Sequence, residues 1–576
     1  MAEYIDGEKK EESQKDEDKL KKCRRWAKNE SDSRLKQEAL WYEIQLYKDG
    51  DHYNLVNRTN TSGGTIKVVP ITRQKGEVQR TFNKFRSLLR ALKATATSTE
   101  IRFEVPGGSE EEVLASNYLN WYTDKHEMSE QISDVVDYGF TRSVAYFDVY
   151  WDSMSAMPKV EARDPFDLLV DRHGKYARRT YSMRKDDFKE AKDSEGQPMF
   201  KNTEELPTTR KLASSEIYDN YLRSKYQQKA SDGIEDIMVE EFHKLEQGDD
   251  GKYQVRVITT AEDSDKIFAE EVYEDDELRF VPFWPERRPG DIYNEPWMKD
   301  ALDPQKSLDN MYTHFEELIR TMGKGRIIVR KGQVLDRISD KDGQKIEFEG
   351  EKPEIFPVGS IGGDQFSFDQ KVEANMEDVV GIHPSQIRKT TTAKGIGYLI
   401  AQDETNISEP FKNLKTSLVK VGKRLIKLAN RHMMTSQDIF WWNNGQRERG
   451  AVISPNSPII EGGQAPEGVG MIKNIDSLTV DLLPKGAFAA LAREEKIMNL
   501  VKAGILTNPE VIAEGMNLGN VRELYEKEMA FRQEQAQMQA QQQPQGAAEG
   551  QPNEDFANQE ALQEAVDSLK AETGLA

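Results

Sequence analysis

Three carboxylates in the run "DPFDLLVD", Asp164, Asp167 and Asp171, are the first residues of this chain that could do chemistry. A nuclease holds magnesium on acidic side chains and lets the metal activate water. Such a site draws its carboxylates from separate elements, because an octahedral shell needs ligands converging from several directions. Here all three share one short segment with Pro165, a composition that suits turns and caps. Other enzyme signatures fail on their chemistry. Gly174-Lys175, Gly251-Lys252, Gly323-Lys324 and Gly422-Lys423 are followed by Tyr, Tyr, Gly and Arg. None supplies the hydroxyl with which a phosphate-binding Gly-Lys-Ser/Thr loop holds magnesium. "GIGYL" at 395–399 lacks the third glycine of a dinucleotide fingerprint, and the histidines form no His-Glu-x-x-His. His383, before Pro384, reads as a turn residue. One cysteine, Cys23, cannot build a thiolate zinc site. No Gly-x-Ser-x-Gly elbow supports a serine hydrolase. The chain reads as a non-enzyme, with no metal and no cofactor.

A different chemistry, cation against phosphate, gathers between 388 and 431. "IRKTTTAKGIGYLI" at 387–400 sets Arg388, Lys389 and Lys394 among threonines and glycines. The helical pattern that follows, 409–433, places Phe411, Leu414, Leu418, Val421, Leu425 and Leu428 on one face. Lys412, Lys420, Lys423, Arg424, Lys427 and Arg431 fall on the opposite side. With Lys415, ten cations stand here against three acids, Asp403, Glu404 and Glu409. That inverts the sign of a chain whose net charge is -21. Such a helix equally suits a solvated surface or the acidic face of a protein partner. No zinc finger, RNP aromatics or helix-turn-helix accompanies it, so contact with nucleic acid would be to phosphates, independent of sequence and weakened by salt.

Positioning these residues takes several elements, and 576 residues exceed what one core usually supports. Residues 1–30 mix charges of both signs and read as a solvated, flexible arm. Helices are expected over 31–49, 78–95 and 110–138. "SVAYFDVYWD" and "PKVEARDPFDLLVD" read as strands, as do 253–259 and 266–273. Asp303 as N-cap and Pro304 at the first helical position open a helix with Leu308, Met311, Phe315, Leu318 and Met322 at heptad spacing. Strands are expected within 326–367, then a helix at 369–380 stopped by Gly381. "SLTVDLLP" reads as a strand, 488–538 as helical pieces, and the glutamine-rich tail as disordered after about 545. Mean hydropathy is -0.76, and no stretch approaches the ~18–20 apolar residues of a membrane span. The N-terminus lacks a secretion signal's apolar core, so a protein made and used in the cytoplasm is expected, with no membrane partner.

This succession, an α/β domain carrying "ARDPFDLLVDRHGKYARRTYSMRKDDF", a heptad helix, a small strand-rich insert, a second helix, a Thr/Gly loop and a long helix, resembles the portal proteins of tailed bacteriophages. More narrowly it is similar to the P22-like portals of short-tailed phages, over roughly 30–540. The resemblance implies an α+β, predominantly helical portal fold. Its wing would be 31–302, α/β in character and completed by 436–487. Stem helices would be 303–325 and 369–382, with the clip at 326–368 between them. A tunnel loop at 383–400 would lead into the long basic amphipathic helix at 401–435. A helical crown would take 488–544, and 545–576 would be a disordered tail.

The implied function is a ring, expected to be a dodecamer, at the capsid vertex of the virion, through which viral DNA is packaged and ejected. Arg388, Lys389 and Lys394 would touch the backbone of double-stranded DNA without reading it. Clip cations Arg326, Arg330, Lys331, Arg337, Lys341 and Lys345 would meet the terminase large subunit and later the head-tail adaptors. Major capsid and scaffolding proteins would be further partners, with assembly in the host bacterial cytoplasm. A competing reading is a scaffold- or adaptor-like structural protein that uses its basic helix to grip a partner.

Overall fold

The computed structural model describes residues 2–484, apart from 59–65, 72–78, 193–195, most of 202–235, 324–326, 329–353, 356–362, 385–402, 461–468 and some shorter gaps. These residues lie in a compact unit, Met1–Ala492. The expected crown and tail fall outside the described residues.

The chain opens on α1 (Ala2–Asp49), one continuous helix rather than a flexible arm followed by a short helix. Its largely polar first half carries a narrow apolar strip, Leu20, Cys23, Trp26 and Ala27, packed with Leu169, Phe242 and Ile258, and cations aimed at the neighbouring sheet add to that hold. Arg24 donates to the carbonyls of Ala261 (2.8 Å) and Ser264 (2.7 Å) and pairs with Glu240. Arg34, 1% exposed, donates to the carbonyls of Pro165 (2.6 Å) and Leu168 (2.7 Å). Charge-assisted hydrogen bonds of this kind are stronger than neutral ones, which is how a largely charged helix docks on so narrow an apolar strip. Further along, Trp41, Tyr42 and Leu46 pack on Phe166 and on the hairpin of β1 (Asn54–Arg58) and β2 (Ile66–Pro70).

Next come α2 (Lys84–Thr97), β3 (Thr99–Glu104), α3 (Glu110–Lys125) and α4 (Met128–Arg142). A capping box, Ser109 with Glu112, starts α3. The single helix expected over 110–138 is broken at Glu127, whose φ is +45°. The break re-aims the chain so that Met128, Ile132, Val135 and Val136 all enter the core.

β4 (Ala145–Asp152) and β5 (Met157–Arg163) form a three-stranded sheet with a later strand. β6 (Leu168–Val170), β7 (Tyr176–Arg184), the short α5 (Lys185–Glu190), β8 (Asp236–Gln247), β9 (Tyr253–Ala261) and β10 (Ala269–Glu274) follow. Five of these strands make an antiparallel sheet ordered β10-β9-β8-β7-β6. β11 (Phe280–Phe283) then returns to pair with β4. Val144, Tyr146, Leu168, Ala177, Val255 and Phe280 form a core joining the two sheets.

A 3-10 turn (Trp297–Ala301) runs directly into α6 (Leu302–Gly323). Asp303 therefore sits inside the first turn instead of capping it, where its charge still suits the helix dipole. The insert after α6 shows a two-residue antiparallel ladder, β12 (Ile327–Ile328) with β13 (Glu354–Ile355). α7 (Gly363–Val380) begins six residues earlier than the periodicity suggested, and stops at Gly381. That glycine has φ +84° and donates its N–H to Glu377 O, a left-handed helix stop that a side chain would strain. α8 (Ser408–His432) follows. It packs its apolar face into the main core, where Leu414, Leu418, Val421 and Leu425 meet residues of α2, α4 and β4. β14 (Gln437–Asn443), β15 (Gln446–Ile453) and β16 (Val469–Met471) form a further sheet. β17 (Thr479–Pro484) closes the unit by pairing with β3, 375 residues back at the Thr479–Glu104 pair.

Candidate nucleic-acid interface and its supports

α8 carries the cationic face that the sequence singled out, and its cations divide. Arg424 is not on a free face. It is buried, donating from Nε to Val149 O (3.1 Å) and from Nη2 to Asp275 Oδ2 (2.8 Å). Lys427 pairs with Asp275 Oδ1 at 2.7 Å and with Asp276, and Arg431 donates to Glu274 O. These three cations tie the helix to the turn between β10 and β11. The hydrogen bond from Lys427 holds the Asp276 carboxyl below its ordinary range. Arg424 is thereby withdrawn from any open cationic face, while Lys427 and Arg431 are half-buried and already engaged with this turn.

Lys412, Lys420 and Lys423 are exposed. They stand at i, i+8 and i+11, so they share one side of the helix along roughly 16 Å, at 1.5 Å per residue. Three features hold that row in place from below. Ser417 Oγ donates to Pro282 O (2.8 Å) and Asn413 Nδ2 to Pro285 O (3.0 Å), fixing the helix along β11. Gly422 permits close approach to the β3–β17 pair: a Cβ there would lie 2.6 Å from Leu478 Cδ2 and 2.9 Å from Phe103 Cε1.

Around the entrance to α8 the side chains form ion-paired joints. His383 is not a bare turn residue. It is buried, with Nδ1 2.7 Å from Asp403 Oδ1, Nε2 2.9 Å from Asp378 Oδ1, and its backbone N–H on Asp403 Oδ2 (3.1 Å). Burial disfavours its charge, but the hydrogen bonds it donates to both carboxylates outweigh that and hold its pKa above the ordinary imidazole value. Lys84, at the start of α2, pairs with Glu377 of α7 at 3.1 Å. His52 bridges Asp309 Oδ2 (2.5 Å) and Tyr47 O (3.0 Å), joining α1 to α6. Tyr312 donates to Asp369 at 3.0 Å across α6 and α7, and Trp297 Nε1 donates to Val380 O at 3.2 Å.

The acidic run does not gather into a metal site. Asp164 caps Phe166 N (3.0 Å) and pairs with Arg142 (3.1 Å), while Asp171 accepts from His173 N (3.2 Å). Among the described residues no cluster of three or more His, Cys, Asp or Glu side chains could hold a metal ion. No helix among them is long and apolar enough to cross a membrane. Arg388, Lys389 and Lys394 lie outside the described residues, as do Arg326, Arg330, Lys331, Arg337, Lys341 and Lys345.

Sequence reasoning missed one further cluster, a charged network buried between the two sheets. Asp148, fully buried, lies 2.9 Å from Arg279 Nε and 3.1 Å from Arg163 Nε, and Arg279 also reaches Glu241 at 3.2 Å. Burial alone would raise the Glu241 pKa, but His243, whose Nε2 lies 3.5 Å away, and the charges of Arg279 and Arg179 push it far below the carboxylate range. Alternation in β4 and β8 hints that these polar residues face inward, though nothing in the sequence pairs them.

No curated protein matches the chain. Among solved structures it is similar to a chain of the virion of a native gene transfer agent particle, at 7% identity and a TM-score of 0.36, covering 75% of this chain and 89% of that one. A chain from the neck of the native particle, computed with C12 symmetry, matches at 6% identity and a TM-score of 0.34, covering 75% and 89%. The phage P22-like portal protein family matches residues 123–576, from within α3 to the last residue. That span includes α6, α7, α8 and the segments between them, and the chain belongs to the P22-like portal protein family.

Proposed function

We propose that copies of this chain form a ring at the capsid vertex and that double-stranded DNA passes through it during packaging and ejection. The observation that carries this reading is the family match over 123–576, most of the chain. The ring would be a dodecamer, assembled in the host cytoplasm beside capsid and scaffolding proteins. Segment 326–368 would receive the terminase large subunit and later the head-tail adaptors through Arg326, Arg330, Lys331, Arg337, Lys341 and Lys345. Catalysis would belong to the motor, in keeping with a structural family.

The electrostatics support passage rather than grip. A net charge of -21 repels a polyanion over most of the surface. Against that field, Arg388, Lys389 and Lys394 would make weak backbone contacts repeated around the ring. Each would be salt-sensitive and blind to sequence. Lys412, Lys420 and Lys423 would extend the contact or face a neighbouring component.

Negative-stain images of the purified chain should show rings with a central opening. Replacing Arg388, Lys389 and Lys394 together by Ala should leave the rings intact while packaged or retained DNA drops. Intact packaging by that variant would remove the three cations from the DNA path, and a chain that never forms rings would remove the channel itself.

A further inference from the structure

The joint at His383 does more than end a helix. A neutral imidazole has one N–H, so it can donate to one acceptor only. Here both ring nitrogens face carboxylate oxygens, at 2.7 Å on Asp403 and 2.9 Å on Asp378. Ionised carboxylates only accept, so both contacts are satisfied together only when the ring carries two protons. The ring also sits three residues past the end of α7, where the negative end of the helix dipole favours a cation.

We propose that His383 is a positioning residue that acts as an imidazolium, tying the C-terminal end of α7 to Asp403 and so fixing the span between residues 383 and 403. From those two points depart the residues that carry Arg388, Lys389 and Lys394. Asp403 is the stronger partner: it is mostly buried and takes both the ring and the backbone N–H of His383. Asp378, on α7, is largely exposed, so its share of the tie is screened by solvent.

Among the described residues the charged groups around the ring are few. From α7, Asp378 faces it directly, while the adjacent Glu377 turns to Lys84. From the approach to α8, Asp403 faces it, and Asn406 directs its amide to Gly381 O (3.5 Å). The sign of the pH dependence follows. A group whose folded pKa is raised stabilises fully below its unfolded value of 6.5 and loses that contribution as pH climbs through the folded value. Above it the neutral ring keeps one donor, and the geometry favours keeping Asp403. The contact with Asp378 is then lost and the bond to Asp403 is no longer charge-assisted, so the tie weakens at both ends.

The test is the rate of imidazole C2–H exchange, read residue by residue by mass spectrometry on the full chain across a range of pH spanning the midpoint. The His383 midpoint should lie above 6.5, and Asp403→Asn should bring it down. A midpoint at or below the ordinary value, or one unmoved by Asp403→Asn, overturns the proposal. Backbone exchange at 381–384 and 403–407, corrected for intrinsic rates, supplies the positional readout. Wild-type protection should fall several-fold as pH rises through the midpoint. His383→Gln should show the lower protection at every pH and His383→Lys the higher one, with no transition in either. Equal protection in the wild type and both variants overturns it. Any effect on DNA retention rests on the channel reading above, whereas both exchange measurements stand without it.

Discussion

The two ends of the cationic side of α8 differ in what their charges do. At the C-terminal end, Arg424, Lys427 and Arg431 are bound to the turn at 274–276, with Asp275 shared between two of them. Nearer the N-terminus, Lys412 and Lys420 stand exposed, and Lys423 continues their row. The sequence presents all six as one basic face. The difference teaches that a count of charges measures potential only until partners are known: a cation already paired within the fold contributes to stability, and a cation left at the surface contributes to recognition.

The sharpest way to break this distinction is to remove Arg424. Its guanidinium is buried against Asp275 and two main-chain carbonyls. Lys427 stays on Asp275 when Arg424 is removed, so the loss is of the charge-assisted hydrogen bond and the buried packing, about 2–3 kcal/mol and less than a stranded charge would cost. Arg424→Ala should therefore lower the urea midpoint of the unassembled chain by a corresponding amount. Arg424→Met, which refills the volume, should recover part of the packing but not the bond to Asp275. A change below about 0.5 kcal/mol, the range of ordinary surface substitutions, would put Arg424 back on the surface face.

The same case marks where sequence reading stops. Partners separated by 149 residues, as Arg424 and Asp275 are, leave no local trace. Elements with a strong period were legible: the aromatic and β-branched run of β4, the apolar face of α8, the glycine stop after α7. Helix α1 was half legible, because its apolar strip from Leu20 to Ala27 is narrow and much of its hold comes from Arg24 and Arg34 reaching carbonyls far along the chain. His383 read as a turn residue because the sequence shows the proline after it and not the aspartate twenty residues on. Of the candidate site, the polar side of α8 was readable and its internal pairing was not. The cations of 388–394 and of the clip fall outside the described residues.

A second, smaller effect probes how tightly the shared scaffold holds both halves of α8. Gly422 lies between them, and a methyl group there would press on Leu478 and Phe103. Overpacking a filled core costs about 1–3 kcal/mol, while Ala gains about 1 kcal/mol over Gly in a helix interior. The approaches, at 2.6 and 2.9 Å, are close enough that packing should win. Gly422→Ala should be destabilised by roughly 1 kcal/mol net, read from the same urea titration. A more stable variant would mean that the helix has room to lift from the β3–β17 pair.

The smallest effect on stability should come from Lys412, Lys420 and Lys423, and for that reason it is the most telling. Exposed lysines contribute little to folding, so replacing all three by Ala should leave the urea midpoint within about 0.5 kcal/mol of the parent. If the row meets DNA, binding of random-sequence duplex should weaken at low salt, and the slope of log affinity against log salt should flatten by about 0.9 for each phosphate that the variant no longer neutralises. Arg424→Ala should do the reverse, costing stability while leaving the slope of whatever folds unchanged. An unchanged slope in the lysine variant, with rings still formed, would assign the row to a protein neighbour, because a partner's acidic face and a duplex both respond to salt but only the duplex contributes condensed counterions to this measurement.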